Sequence, residues 1–192
     1  EPLQDTLKDI QSVGEAIAVK ADLRHLSAVE AAKKEVVDRF GTVDILVNCA
    51  GTTGATGDFL DITDEDWHEA LEVDLMAAVR LCRALIPLMQ QSGWGRIVLI
   101  SSEDAVQPYI DEMPYCAAKA GLLSFAKNLS KAYARNGILV NSVAPAFIAT
   151  PMTDAMMEKR AGKLDVSVDE AIATFLREKR PHLELQRRGR AE

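Results

Sequence analysis

The chain has 192 residues, 48% hydrophobic and 27% charged, the composition of an ordinary globular domain long enough to bury a core. With 22 Lys and Arg against 29 Asp and Glu the formal net charge is −7, which argues against nucleic-acid backbones or anionic lipid as partners. Cys49, Cys82 and Cys116 form neither a disulfide framework nor a zinc spacing, and no apolar run approaches the roughly 18 residues of a membrane span, so a single domain over 1–192 in a reducing, cytoplasmic setting is expected.

Leu3, Leu7, Ile10 and Val13 follow helical spacing, with Gly14 as a stop. Residues 16–21 read as a short strand ending at Asp22, and 26–40 as an amphipathic helix with Ser27 as N-cap and Gly41 just past its end. An apolar strand at 43–48 runs into Cys49, Ala50 and Gly51, followed by a Gly/Thr-rich loop to Gly57. Thr63 and Asp66 resemble a capping box opening a long helix over about 64–91, which Pro87 bends or terminates. The next strand, 96–100, ends at Ser101 and Ser102. A loop with Pro108 and Pro114 leads into an Ala-rich helix over 114–135, closed by Asn136 and Gly137. A strand at 138–143 ends at Ala144 and Pro145, and helices follow near 152–162 and 168–180. The chain starts at Glu1 inside a helical pattern, and 185–192 stops without a closing element, so truncation at both ends is expected.

Strands alternating with helices of ten residues or more predict an α/β fold with a mostly parallel, doubly wound sheet. The strands are continuous apolar runs, the pattern of a sheet covered on both faces. Ligands of such sheets bind beyond the carboxyl ends of the strands, here Asp22, Asn48 to Gly51, Ser101-Ser102 and Ala144-Pro145. Beside them, Tyr115 and Lys119 share one helix face at i, i+4. A cation there lowers a tyrosine pKa and fits the phenol for proton exchange with an alcohol or carbonyl oxygen. Ser102, at the mouth of the same crevice, can donate to a substrate oxygen on which charge develops. Alone, the Tyr-x-x-x-Lys spacing describes a half-buried tyrosine beside a solvated lysine far more often than a catalytic pair.

Asn48-Cys49-Ala50-Gly51, Ser102, Tyr115-x-x-x-Lys119 and Pro145-x-x-Ile148-x-Thr150, in this order and spacing, resemble the classical short-chain dehydrogenase/reductase family, which includes the 3-oxoacyl-carrier-protein reductases. The resemblance implies a Rossmann-type fold, NAD or NADP as cofactor, and hydride transfer between a small-molecule secondary alcohol and a ketone. It implies Tyr115 as acid/base, Ser102 as the group polarising the carbonyl, and Lys119 as the group lowering the tyrosine pKa and holding ribose. It assigns Asp22 and Leu23 to the adenine, and Asn48, Ala50, Gly51 and Val73 to the cofactor wall. Pro145, Ile148 and Thr150 are assigned to the nicotinamide carboxamide, and a homodimer or homotetramer is implied through the helices 64–91 and 114–135.

Three departures stand out. The family's Thr-Gly-x-x-x-Gly-x-Gly turn, which lets backbone approach the pyrophosphate, does not occur in 1–192. Asp74 stands where the family has an asparagine, and its charge competes for Lys119; its catalytic role is therefore in question. Ala146 replaces a glycine. By the family's strand order, 16–21 would be separated from 43–48 by two missing strands, and strand seven would also be missing, which predicts a poorly soluble chain that binds cofactor weakly. The competing reading is a catalytically silent member acting as a binding or assembly module. A hydrolase using Cys116 lacks a base, since His25, His68 and His182 are far apart in sequence and read as surface residues. Read without the resemblance, Asn48 is a turn former, Asp22 ends a strand or caps a helix, and Cys49 and Cys116 are small buried apolar groups. The acidic loop of Glu103, Asp104, Asp111 and Glu112 reads as solvated, with substrate specificity as its alternative; Met152, Met156 and Met157 read as core packing.

Overall fold

Three of the predicted strands find partners. In this computed structural model, which describes residues 2–184 and 187–190, β1 (Ile45–Asn48), β2 (Gly95–Ile100) and β3 (Ile138–Val143) form a parallel sheet in the order β1-β2-β3. The register pairs Asn48 with Leu99 and Ile100 with Val143, and the Ser101 N–H extends the second ladder to the Val143 carbonyl at 2.7 Å. All three strands therefore end on the same side, where Asn48, Ser101 and Ser102 follow one another across the sheet.

Before β1 come α1 (Pro2–Gln11) and α2 (Leu26–Phe40); α3 (Asp64–Leu71), α4 (Ala77–Ser92) and α5 (Met113–Tyr133) are interleaved with the strands. The expected capping box is present: the Thr63 hydroxyl accepts the Asp66 N–H at 3.2 Å, and Asp66 accepts the Thr63 N–H at 2.9 Å. Pro87 neither ends nor interrupts α4, which continues to Ser92 and closes on left-handed Gly93. The cap before α2 is His25, with no side-chain hydrogen bond, rather than Ser27. The predicted helix over 64–91 contains one irregular turn: Glu72–Met76 is π-helical, with the Ala77 N–H bonded to the Glu72 carbonyl. Such a widened turn rotates its side chains relative to a regular helix and is frequent at functional sites. Asp74 lies in it and is completely buried.

The core fills one side of the sheet. Leu46, Ile97, Leu99, Ile138 and Val140 pack with Ala78, Cys82, Leu85 and Met89 of α4 and Leu122 and Ala126 of α5, with Val29 of α2 beneath. The alternate residues Ile45, Val47, Leu139 and Val143 are 46–58% exposed. The continuous apolar runs that predicted cover on both faces thus have it on one within these residues. Residues 16–21, predicted as a strand, form none, because a strand is made by its ladder and no neighbouring strand lies alongside among the described residues.

Glu1–Ala144 and Pro145–Glu192 are separate compact units. In the second, α6 (Pro151–Leu164) packs with α7 (Val168–Lys179) around Phe147, Met157 and Leu176. Of the three methionines expected in a core, only Met157 is buried; Met152 and Met156 are 65% and 42% exposed. The terminal stretch read as lacking a closing element includes residues 185, 186, 191 and 192, which lie outside the described residues, as does Glu1. No helix among the described residues is long and apolar enough to cross a membrane.

Candidate active site

The strand ends and two helices bring six polar groups of the first unit together. Pro114 in the first turn of α5 starts a helix whose i, i+4 face carries Tyr115 and Lys119. Ser101 anchors that helix to the sheet, its hydroxyl donating to the Lys119 carbonyl at 3.0 Å. Lys119 is 4% exposed, and its ammonium donates to the Ile100 carbonyl at 3.3 Å and lies 3.3 Å from Asp74 Oδ1. Asp74 Oδ1 also accepts the Thr52 N–H at 3.1 Å. The competition for Lys119 expected from the sequence is therefore a buried ion pair.

Gly51 lets the chain pass over this pair: a Cβ there would come within 2.8 Å of Asp74 Oδ1 and 3.0 Å of the ammonium. Asp74 Oδ2 is buried with no hydrogen-bond partner among the described residues. Burial pushes the Asp74 pKa up, while Lys119 and the Thr52 amide pull it down; the net direction is upward.

On the other flank of Tyr115 stands Ser102. It caps the short turn Glu103–Ala105, accepting the Asp104 N–H at 3.3 Å and donating its proton to Asp104 Oδ2 at 2.6 Å. Asp104 is 6% exposed, which corrects the reading of this loop as solvated: a serine two residues before an aspartate folds the carboxylate back onto its own hydroxyl. Ser102 also faces Tyr115 and holds its pKa down, as a hydroxyl turned toward a phenolate does.

Tyr115 is pushed up to about 12, by burial first; Ser102 opposes the rise, and the charges of Asp104, Asp74 and Glu112 add to it. The sequence expectation was a tyrosine lowered by Lys119. The ammonium sits 5.5 Å from the ring centroid, but Asp74 already balances its charge.

The other predicted residues fall in several places. Asn48 is 3% exposed at the end of β1, followed by half-buried Ala50, and Val73 is half-buried on the π-helical turn beside Asp74. Asp22 is held by a two-pronged contact from Arg24 (3.0 Å from Nε and 2.8 Å from Nη2), which lowers its pKa well below the carboxylate range. The carboxylate expected to meet adenine thus ends its segment on a local ion pair. Leu23 packs against the main core. Pro145, Ile148 and Thr150 belong to the second unit, where Ile148 bridges Gly189 and Thr150 caps α6 through the Thr153 N–H.

Cys49 is exposed, against expectation, because it follows the last paired residue of β1; Cys82 and Cys116 are buried and their thiols raised by desolvation. The histidines are exposed, and no cluster of metal-ligating side chains occurs among the described residues. Sequence reasoning placed Ser101 at the strand end but gave it no role, and passed over Thr52 and the burial of Asp104. Only Asp104 had a local signal, the Ser-x-Asp spacing.

Of the residues gathered here, Lys119 is the one that would hold the ribose of a dinucleotide. The Lys119 ammonium has three donors, and the two contacts above leave one for a ribose hydroxyl. The fit stops there, because 1–192 holds no glycine turn for a pyrophosphate.

Comparison with known proteins places the chain in a family. The sequence profile of the short chain dehydrogenase family matches residues 1–161. The chain is 38% identical over 145 residues to a 3-oxoacyl-[acyl-carrier-protein] reductase of Synechocystis, covering 76% of this chain and 58% of that protein. Across the curated relatives compared, it spans 57–68% of their length. Among solved structures it superposes on L-sorbose reductase of Gluconobacter frateurii, complexed with NADPH and L-sorbose, with a TM-score of 0.91 and 30% identity over 98% of this chain and 71% of that one. An actinorhodin polyketide ketoreductase with NADPH superposes at 0.87 with 34% identity, over the same shares. With a family profile matched over most of its length and a parallel α/β sheet of that family's kind, the chain belongs to the short-chain dehydrogenase family.

Proposed function

We propose that the protein is an NAD(P)-dependent oxidoreductase that moves a hydride between a small secondary alcohol and the corresponding ketone. The observation that carries this reading is the meeting of Ser102, Tyr115 and Lys119 at the carboxyl edge of the sheet, with the buried Asn48 and the close-approach Gly51 beside them. A nicotinamide supplies or accepts the hydride when bound. Tyr115 gives its phenolic proton to the carbonyl oxygen in reduction and takes it from the alcohol in oxidation. Lys119 offers its third donor to the ribose, and Asn48, Ala50, Gly51 and Val73 form the adjoining wall. Pro145, Ile148 and Thr150 are proposed for the carboxamide, and Asp22 and Leu23 for the adenine. Asp74 acts through Lys119 rather than on the substrate.

NADPH is the favoured form, since the solved relatives above carry it. A homo-oligomer is part of the same reading: Cys82, Ile86 and Pro87 of α4 and Phe125, Leu129 and Tyr133 of α5 line an outward groove of about 390 Å³. So is a reducing, cytoplasmic setting, since the thiols stand free.

A catalytically silent module is the second reading. It is favoured by one observation, that both helpers of Tyr115 are engaged by buried carboxylates. The deciding experiment follows NADPH oxidation with a panel of ketones in wild type and Tyr115→Phe. Turnover lost in the variant supports the enzyme; NADPH binding without turnover of any ketone or alcohol supports the silent module.

A further inference from the structure

The loops that leave β1 and β2 carry apolar side chains that the fold leaves uncovered. Leu60, Ile110 and Val106 are 87%, 80% and 72% exposed, three of the four most exposed large apolar residues among those described, and Phe59 beside Leu60 is 54% exposed. Single exposed apolar residues are ordinary, whereas several gathered on neighbouring loops mark a binding surface. These loops are neighbours, since the Gly57 N–H donates to the Asp111 carbonyl at 3.0 Å, just before Phe59 and just after Ile110. The second loop also joins the candidate active site. Val106 ends the short turn that Ser102 caps, and the Tyr109 carbonyl accepts from the thiol of Cys116, the residue after Tyr115. Neither loop, 49–63 or 101–112, contains Lys, Arg or His, so neither brings a cation with which to hold a phosphate or carboxylate.

We propose that Phe59, Leu60, Val106 and Ile110 are specificity-determining residues that select ketones and secondary alcohols with an apolar tail on the reacting carbon. This inference names the substrate class of the oxidoreductase reading and rests on it. With the carbonyl oxygen at Ser102 and Tyr115, the tail leaves along the loop that follows Ser102 and lies on these side chains. Each methylene laid there removes apolar surface from water on both partners. A hydroxylated tail would give up its own water contacts, and the four side chains have no polar atom to replace them. The occupant is a substrate rather than a second copy, because the patch adjoins the reacting groups and the groove assigned above to self-association lies on α4 and α5.

The test reads kcat/KM with NADPH for butanone, 2-hexanone and 2-octanone in wild type, Leu60→Ser and Ile110→Ser. L-sorbose serves as the hydroxylated counterpart of 2-hexanone. Both substituted positions are largely exposed, so the variants are expected to fold. In wild type, kcat/KM is expected to rise about two- to fourfold per added methylene, and 2-hexanone to exceed L-sorbose. In each variant the rise per methylene is expected to shrink. A flat series in wild type, a preference for L-sorbose, or variants that lose rate equally on every ketone overturns the proposal.

Calorimetric titration with butanone and 2-octanone reads the patch without turnover. Tighter binding of 2-octanone, weakened in Leu60→Ser, is expected; equal binding of the two ketones overturns the proposal. Wild type that reduces no ketone overturns the oxidoreductase reading, and a preference for 2-octanone kept in the titration would then show the failure to lie in that reading and not in the apolar loops. Sedimentation covers the other occupant. Self-association that Leu60→Ser abolishes, with the ketone series unchanged, overturns the proposal in favour of a second copy.

Discussion

The two flanks of Tyr115 each carry a buried carboxylate, and the two carboxylates act differently. On one flank Asp74, 45 positions before Lys119, meets the ammonium through the folding of a π-helical turn against α5. On the other, Asp104 takes the proton of a serine two residues away, within a single turn. The first contact neutralises a charge and leaves the lysine its third donor. The second leaves all charges in place and removes the only donor of its partner. A carboxylate beside an ammonium therefore changes the field at Tyr115, whereas a carboxylate beside a hydroxyl changes which hydrogen bonds the substrate can form.

The most severe way to break this comparison is to remove the residue both flanks serve. In Tyr115→Phe, kcat is expected to fall about 10²- to 10⁴-fold with NADPH affinity nearly unchanged, since the phenol acts on the proton in flight and contributes little to ground-state binding. Steady-state kinetics with a cofactor titration check this; more than a tenth of the wild-type rate would remove Tyr115 from the acid/base role. The same variant tests burial. Tyr115 ionises near 10 when unfolded and about 12 when folded. Stability gained by keeping it neutral is complete below pH 10 and lost as the pH climbs to 12, a slope that denaturant midpoints should show in wild type and not in the variant.

Lys119→Met isolates the ammonium flank by leaving Asp74 buried without its cation. A loss of about 3–5 kcal/mol is expected at neutral pH, from urea unfolding. Because the folded pKa of Asp74 lies above its unfolded value, a neutral carboxyl favours the fold at low pH, and this contribution disappears as the pH rises through the folded pKa. The gap between variant and wild type should therefore narrow in acid. An equal gap at all pH values would mean that the ion pair carries no weight.

Gly51→Ala disturbs the same flank without changing any charge. Its methyl meets Asp74 Oδ1 at 2.8 Å, so the pair must part, at an expected cost of about 1–3 kcal/mol in thermal or urea unfolding. A neutral outcome would show that Asp74 and Lys119 yield freely.

Asp74→Asn has the smallest expected effect and the most specific one. Removing a negative charge that raises Tyr115 should move the rising limb of alcohol oxidation to lower pH, since phenolate then forms more easily. An unmoved limb would show that the Lys119 pairing already screens Asp74 from the phenol.

Much of the first flank was legible before any coordinates. The i, i+4 spacing set Tyr115 and Lys119 on one face, and Asp74 at a family asparagine position announced a conflict with the lysine. The second flank was misread. Asp104 lies among Glu103, Asp111 and Glu112, and a run of acids reads as solvated unless the Ser-x-Asp turn is noticed.

Local chemistry decided what the sequence by itself determined: the capping box at Thr63, the strands ending at Asn48 and Ser101, and the helix opened at Pro114, because caps, apolar runs and proline act over a few residues. Tertiary structure alone decided the rest. The run at 16–21 is as apolar as a strand yet forms none, since a ladder needs a neighbour. Cys49 is exposed and Cys116 buried, although both read as small apolar groups, because burial depends on what packs above a residue. The Tyr115 pKa rises instead of falling, because desolvation and the charges of Asp104, Asp74 and Glu112 outweigh the opposing effect of Ser102.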